Sequence, residues 1–128
     1  MNQDIKEFID QYSKLLPVGS SISFTEAERR AGEFLHAMAR ITDWKHTLSA
    51  KTVRILSIQT AVYSEQMSKG TAKTVTENKL TAEASPEYVE AREEVEYLQN
   101  DVSYLRAYYD IFNNAHIFYR NMAKEQNV

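Results

Sequence analysis

From Ala91 to Ala123, core-type residues recur at alternating spacings of four and three. The series is Ala91, Val95, Leu98, Val102, Leu105, Tyr109, Phe112, His116, Tyr119 and Ala123. On a helix this is an unbroken heptad seam along one face. From Tyr104 a second stripe runs beside it: Tyr108, Ile111, Ala115, Phe118 and Met122. One seam pairs two helices, whereas two adjacent seams ask for neighbours on two sides. His116, the polar member of the seam, fits a residue that fixes register or oligomer state better than a catalyst.

A second run of the same kind precedes it. Ala27, Ala31, Phe34, Met38, Ile41, Leu48, Thr52, Ile55 and Val62 form a stripe, interrupted by Lys45 and Gln59 and widened by Leu35, Leu56, Ile58, Tyr63 and Met67. Its start carries two overlapping capping boxes, Ser23-x-x-Glu26 and Thr25-x-x-Glu28. Gly70 supplies the stop. The chain has only three glycines and two prolines, so little else can break it. The pattern predicts a helix over 24–69 of about 44 residues, roughly 65 Å long at the helical rise.

A shorter amphipathic helix is expected over 2–16, where Ile5, Phe8, Ile9, Tyr12, Leu15 and Leu16 share a face before Pro17 and Gly19. Residues 70–85 read as a connection with at most a weak helical turn. Ser85-Pro86 then opens a helix over 86–124. The expected fold is all-α, a single helical domain built on a long antiparallel, coiled-coil-like hairpin. Because a two-helix hairpin leaves the second seam bare, the expectation is a building block of a homo-oligomer.

Several function classes fall away. Without cysteine there is no disulfide scaffold, thiolate nucleophile or Cys-based zinc site. No Gly-rich phosphate loop, nucleophile elbow or zinc-helix motif is present. Glu33-x-x-His36 has the spacing of di-iron helix bundles, but that chemistry needs a second such pair, and Asn113 stands where His116 would need its carboxylate. The expectation is therefore no enzyme, no metal and no cofactor. No stretch reaches the ~18 uninterrupted apolar residues of a membrane span. The N-terminal segment carries acids where a leader would carry bases, so a cytoplasmic protein is expected.

Charge is unevenly spread. From Arg29 to Lys79 there are nine Lys/Arg against four acids, and from Glu83 to Asp101 seven acids against one base. Arg40, Trp44, Lys51 and Arg54 fall at i, i+4, i+11 and i+14, one stripe of the long helix, with Lys45 and His46 beside it. Cations with an interleaved indole suit a single nucleic-acid strand, pairing phosphate neutralisation with a stacking surface. Lys69, Lys73 and Lys79, among Thr71, Thr74 and Thr76, would add a backbone clamp at a flexible tip. The alternative is a solvated basic face with Trp44 in the core. Glu87, Glu90, Glu93, Glu94 and Glu96 read as a solvated face with its first acid favoured by the helix dipole, or as a contact for a basic partner.

The stretch from Lys73 through Pro86-Glu-Tyr88, then Val89-Glu-Ala-Arg-Glu-Glu-Val-Glu-Tyr97-Leu and Leu105-Arg-Ala-Tyr-Tyr-Asp-Ile-Phe-Asn-Asn114, resembles the UvsY-like phage recombination mediators. The resemblance covers roughly residues 40 to 124 and leaves the N-terminal helix outside it. It implies a helical hairpin assembled into a ring-like oligomer in the host cytoplasm. It further implies single-stranded DNA as ligand, with a recombinase and a single-strand-binding protein as further partners. The positions it marks for DNA contact are Lys51, Arg54, Lys69 and Lys73, to which the stripe adds Arg40, Trp44 and Lys45, and the tip Lys79. Two other classes stay open. One is a phage-encoded interaction module, such as an inhibitor of a host defence enzyme, acting through its helical or acidic surface. The other is a virion assembly factor.

Overall fold

A computed structural model of the chain describes residues 1–19, 21–72 and 74–126. Its elements are α1 (Gln3–Ser13), α2 (Phe24–Ser68), α3 (Val75–Glu83) and α4 (Pro86–Gln126), and no strand occurs among the described residues. The chain is all-α, and its two long helices pack against each other. It divides into two compact units, Met1–His46 with Ser103–Val128, and Thr47–Val102.

In the first unit α2 and α4 run antiparallel. Phe34 packs on Phe112 at 5.3 Å and stacks on Tyr119 at 6.0 Å between ring centroids. Phe34, Ile41, Leu105 and Phe112 are fully buried. The expected register residue finds its role inside the chain: His116 Nδ1 lies 2.8 Å from the carbonyl of Ala31. Facing a carbonyl, that nitrogen must carry the proton and donate. The first seam interruption is explained as well, since the Lys45 ammonium sits 5.8 Å from the Tyr109 ring centroid.

The second stripe has an occupant that the sequence pattern does not reveal. α1 lies beside its start, burying Ile5 and Ile9 and placing Asp10 where it acts on the Tyr104 hydroxyl. Tyr12 approaches Phe34 and Phe112, both at 6.2 Å. The bare second seam, the premise for self-association, is thus partly covered by the chain itself. Ile111 and Phe118 remain 41% and 46% exposed. Phe118 and Met122 line a hollow of about 170 Å³ beneath Pro17, Val18, Gly19 and Ser21. Gly19 carries a φ of 78°, which its lack of a Cβ permits.

α1 ends three residues before the expected Leu16. The amides of Leu15 and Leu16 turn back to the carbonyls of Tyr12 and Ser13, a tightening that ends the α pattern. The carbonyl of Leu15 then accepts from the Tyr119 hydroxyl at 2.7 Å. That hydroxyl also accepts from Arg30 at 3.1 Å, so one buried tyrosine joins α4, α2 and the turn that follows α1. α2 starts on the first of the two expected capping boxes, with Ser23 Oγ accepting from the Glu26 amide at 3.1 Å.

In the second unit Tyr88 of α4 packs on Tyr63 of α2 at 5.7 Å and its hydroxyl accepts from the Gln59 amide at 3.3 Å. The second seam interruption is therefore a hydrogen-bonded pair, although Gln59 Oε1 is buried without a partner among the described residues. The 70–85 connection contains a full helix, α3. Thr74 caps it by accepting from the Glu77 amide, a Thr-x-x-Glu box that the charge pattern of this segment obscures. α4 begins as expected, with Ser85 Oγ accepting from the Tyr88 amide ahead of Pro86.

Candidate nucleic-acid interface

The cations singled out in the sequence have different surroundings. In the first unit Arg40 is exposed, and its guanidinium lies 4.7 Å above the Trp44 ring. Trp44 is half-buried and meets Phe8 of α1 edge-on at 5.0 Å. The indole therefore serves the packing of α1, with one face under a cation. Lys45 is half-buried over Tyr109, as described above. His46 is exposed.

In the second unit Lys51, Arg54 and Lys79 are exposed, and among the described residues none of the three forms an ion pair. Lys69 is paired with Glu65 one turn before it, at 2.8 Å. The hydrogen bond from Lys69 holds the Glu65 carboxyl below its usual range, and the same bond raises Lys69. Both side chains are well exposed, so the pair adds little to stability. Lys73 lies outside the described residues.

The tip is built more tightly than a flexible clamp. The amide of Ala72 donates to Asn78 Oδ1 at 3.0 Å. A Cβ on Gly70 would come within 2.5 Å of that same oxygen. Gly70 has no positive φ, so it stops α2 by making room for Asn78 and not by a left-handed cap.

Of the seam residues, Val95, Leu98, Leu105, Phe112 and Tyr119 are buried, and Val102, Tyr108, Tyr109, His116 and Met122 are half-buried. Tyr104, beside Tyr108, has its hydroxyl pKa raised, first by burial and then by Tyr108 and by Asp10 of α1. The pKa of Tyr12 is raised by burial and by the Glu33 carboxylate, to which it donates at 3.3 Å. Glu33 also meets Arg29, while His36 is exposed on the surface. No group of three metal-ligating side chains occurs among the described residues. Nor is any helix among them long and apolar enough to cross a membrane.

One grouping escapes the sequence. Ile55, Ile58 and Val62 of α2 share a groove with Glu87, Glu90, Ala91 and Glu94 of α4. Each stripe has helical spacing, but only the pairing of α2 with α4 brings an apolar and an acidic stripe together. No family model, curated protein or solved structure matches this chain.

Proposed function

We propose that this chain is a non-enzymatic accessory protein that binds single-stranded DNA as a homo-oligomer. Its role resembles that of phage mediators that load a recombinase onto strands coated by single-strand-binding protein. The observation that carries the reading is the pair Lys51 and Arg54, exposed on α2 with no carboxylate partner among the described residues. Cations left unpaired by their own protein are available to phosphates, and their neutralisation releases the counterions that drive such binding. Lys79 is exposed in the same way, and Arg40 is exposed with its guanidinium over the Trp44 ring. Weak contacts repeated around an oligomer act together on one strand, so a few cations per subunit suffice.

The test is fluorescence anisotropy with a labelled single-stranded oligonucleotide, together with light scattering for mass. Binding at low salt should be micromolar or tighter and fall steeply with added salt. Reversing Lys51 and Arg54 to Glu should weaken it by about tenfold or more and lower the salt slope by about two, with unchanged circular dichroism. Absence of binding at low salt removes the reading.

A further inference from the structure

The groove of the second unit is open where its counterpart in the first unit is filled. It encloses about 250 Å³ between Ile55, Ile58 and Val62 on one side and Glu87, Glu90, Ala91 and Glu94 on the other. Ile58 is 50% exposed, and Ile55 and Val62 are half-buried. Spacings of three and four put these three aliphatic residues on one face of α2. On α4, Glu87, Glu90 and Glu94 continue at the same spacing to Tyr97, which is 71% exposed. An exposed tyrosine, here one turn past the last of these carboxylates, is a common anchor of protein interfaces.

The first unit shows what such a groove accepts. There α1, an amphipathic helix of 11 residues, seats Ile5 and Ile9 against α2 and α4. In the sequence, the heptad position of Ala37 and Trp44 continues through Lys51 to Ile58, and that of Ile41 and Leu48 continues as Ile55 and Val62.

Charge then selects the occupant. The lining offers three carboxylates and no base; Arg92 of α4 falls on another face, and Lys51 and Arg54 of α2 lie one turn before Ile55 and Ile58, beyond the lining. Of a second copy's helices, α1, with Asp4, Glu7 and Asp10, and α4, with its glutamates, would bring acid to acid, while the cations of α2 lie on the helix that forms a wall of the groove itself. Phosphate would be repelled. We propose that this groove docks a cationic amphipathic helix of a partner protein. Its aliphatic residues, at i, i+3 or i+4 and i+7, seat on Ile55, Ile58 and Val62, and its Lys/Arg side chains face Glu87, Glu90 and Glu94. The proposal does not rest on nucleic-acid binding, although Lys51 and Arg54 lie one turn before Ile55 and Ile58 on the same face of α2.

The probe is a labelled synthetic helix of about 18 residues with leucines at heptad spacing and flanking lysines, added to the full chain at ~150 mM salt. Its partner probe keeps the leucines and replaces each lysine by glutamate. The lysine helix should bind with micromolar Kd and the glutamate helix about tenfold or more weakly. Ile58→Asp and the pair Glu90→Lys/Glu94→Lys should each weaken the lysine helix by about tenfold or more. The pair Glu93→Lys/Glu96→Lys makes the same charge change at positions of α4 that do not line the groove and should leave binding within about twofold. Equal loss from both charge pairs would mean attraction by net charge alone and overturns the proposal. So does Ile58→Asp converting an oligomer to monomer while peptide binding is unchanged, since the groove would then belong to a second copy.

Discussion

In the first unit the groove beside the paired helices holds α1, and aromatic rings from three helices meet around Phe34. In the second unit the same two helices pair over a shorter length and the groove beside them stays open. Burial reflects the difference. Of the 17 buried hydrophobic residues among those described, only Ala82, Ala91, Val95 and Leu98 belong to the second unit, and two of the four are alanines. Among the described residues large apolar side chains are exposed in both units, six in each, those of the second being Val53, Leu56, Ile58, Val75, Leu80 and Tyr97. Hydrophobic burial is the main favourable contribution to folding, so the first unit anchors stability. The second unit carries surface available for partners, in keeping with the tendency of functional regions to come from the less stable end of a structure.

The largest expected effect tests that asymmetry directly. Phe34→Ala empties a fully buried site beneath Tyr12, Phe112 and Tyr119 and should cost about 3–5 kcal/mol. Ile58→Ala removes a side chain that is half in water already and should cost less than about 1 kcal/mol. Urea unfolding followed by circular dichroism measures both. Similar losses at the two positions would erase the distinction between a filled and an open unit.

The long helices were legible because each obeys its own period and carries its own start signal. Ser23-x-x-Glu26 and Ser85-Pro86 open α2 and α4 where they were expected. Other features depend on partners that the pattern along one helix does not name. Apolar stripes show that a face is covered but not by what, so α1 could not be told from a second copy as the cover of Tyr104 and Phe112. Lys45 and Gln59 looked like gaps in a seam, yet the Tyr109 ring and the Tyr88 hydroxyl accommodate them. Exposed cations are easily proposed from sequence. Which of them a neighbour already engages, as Glu65 engages Lys69 and Trp44 engages Arg40, depends on side-chain placement.

A smaller effect is expected at the tip of the second unit, whose order rests on polar contacts more than on burial. Gly70→Ala would drive a methyl group into Asn78 Oδ1 and break its hydrogen bond from the Ala72 amide, a loss of about 1 kcal/mol. In an Asn78→Ala background the clash with Oδ1 is gone and only the tight 3.2 Å approach to the Cβ of residue 78 stays, so the same glycine change should cost clearly less. The double-mutant cycle isolates the contact. An undiminished cost in the second background would mean that the tip needs Gly70 for another reason.

The smallest effect lies in the first unit and depends on pH. Glu26 accepts from Arg29 at 2.6 Å and from Arg30 at 2.8 Å, and these bonds lower its pKa from the ordinary 4.5 to about 2. A carboxyl with a depressed folded pKa releases its proton more readily when folded. Its contribution is therefore complete above the unfolded value and is lost as pH falls through the folded one. Glu26→Gln should lower stability slightly near neutral pH, and its deficit against the parent chain should shrink between about pH 5 and about pH 2. Because the pair is solvated, added salt should shrink that deficit too. Arg30 also donates to the buried Tyr119 hydroxyl, so a deficit independent of both pH and salt would reveal a different origin. In that case Glu26 acts by holding Arg30 in place over the core of the first unit, and charge contributes little.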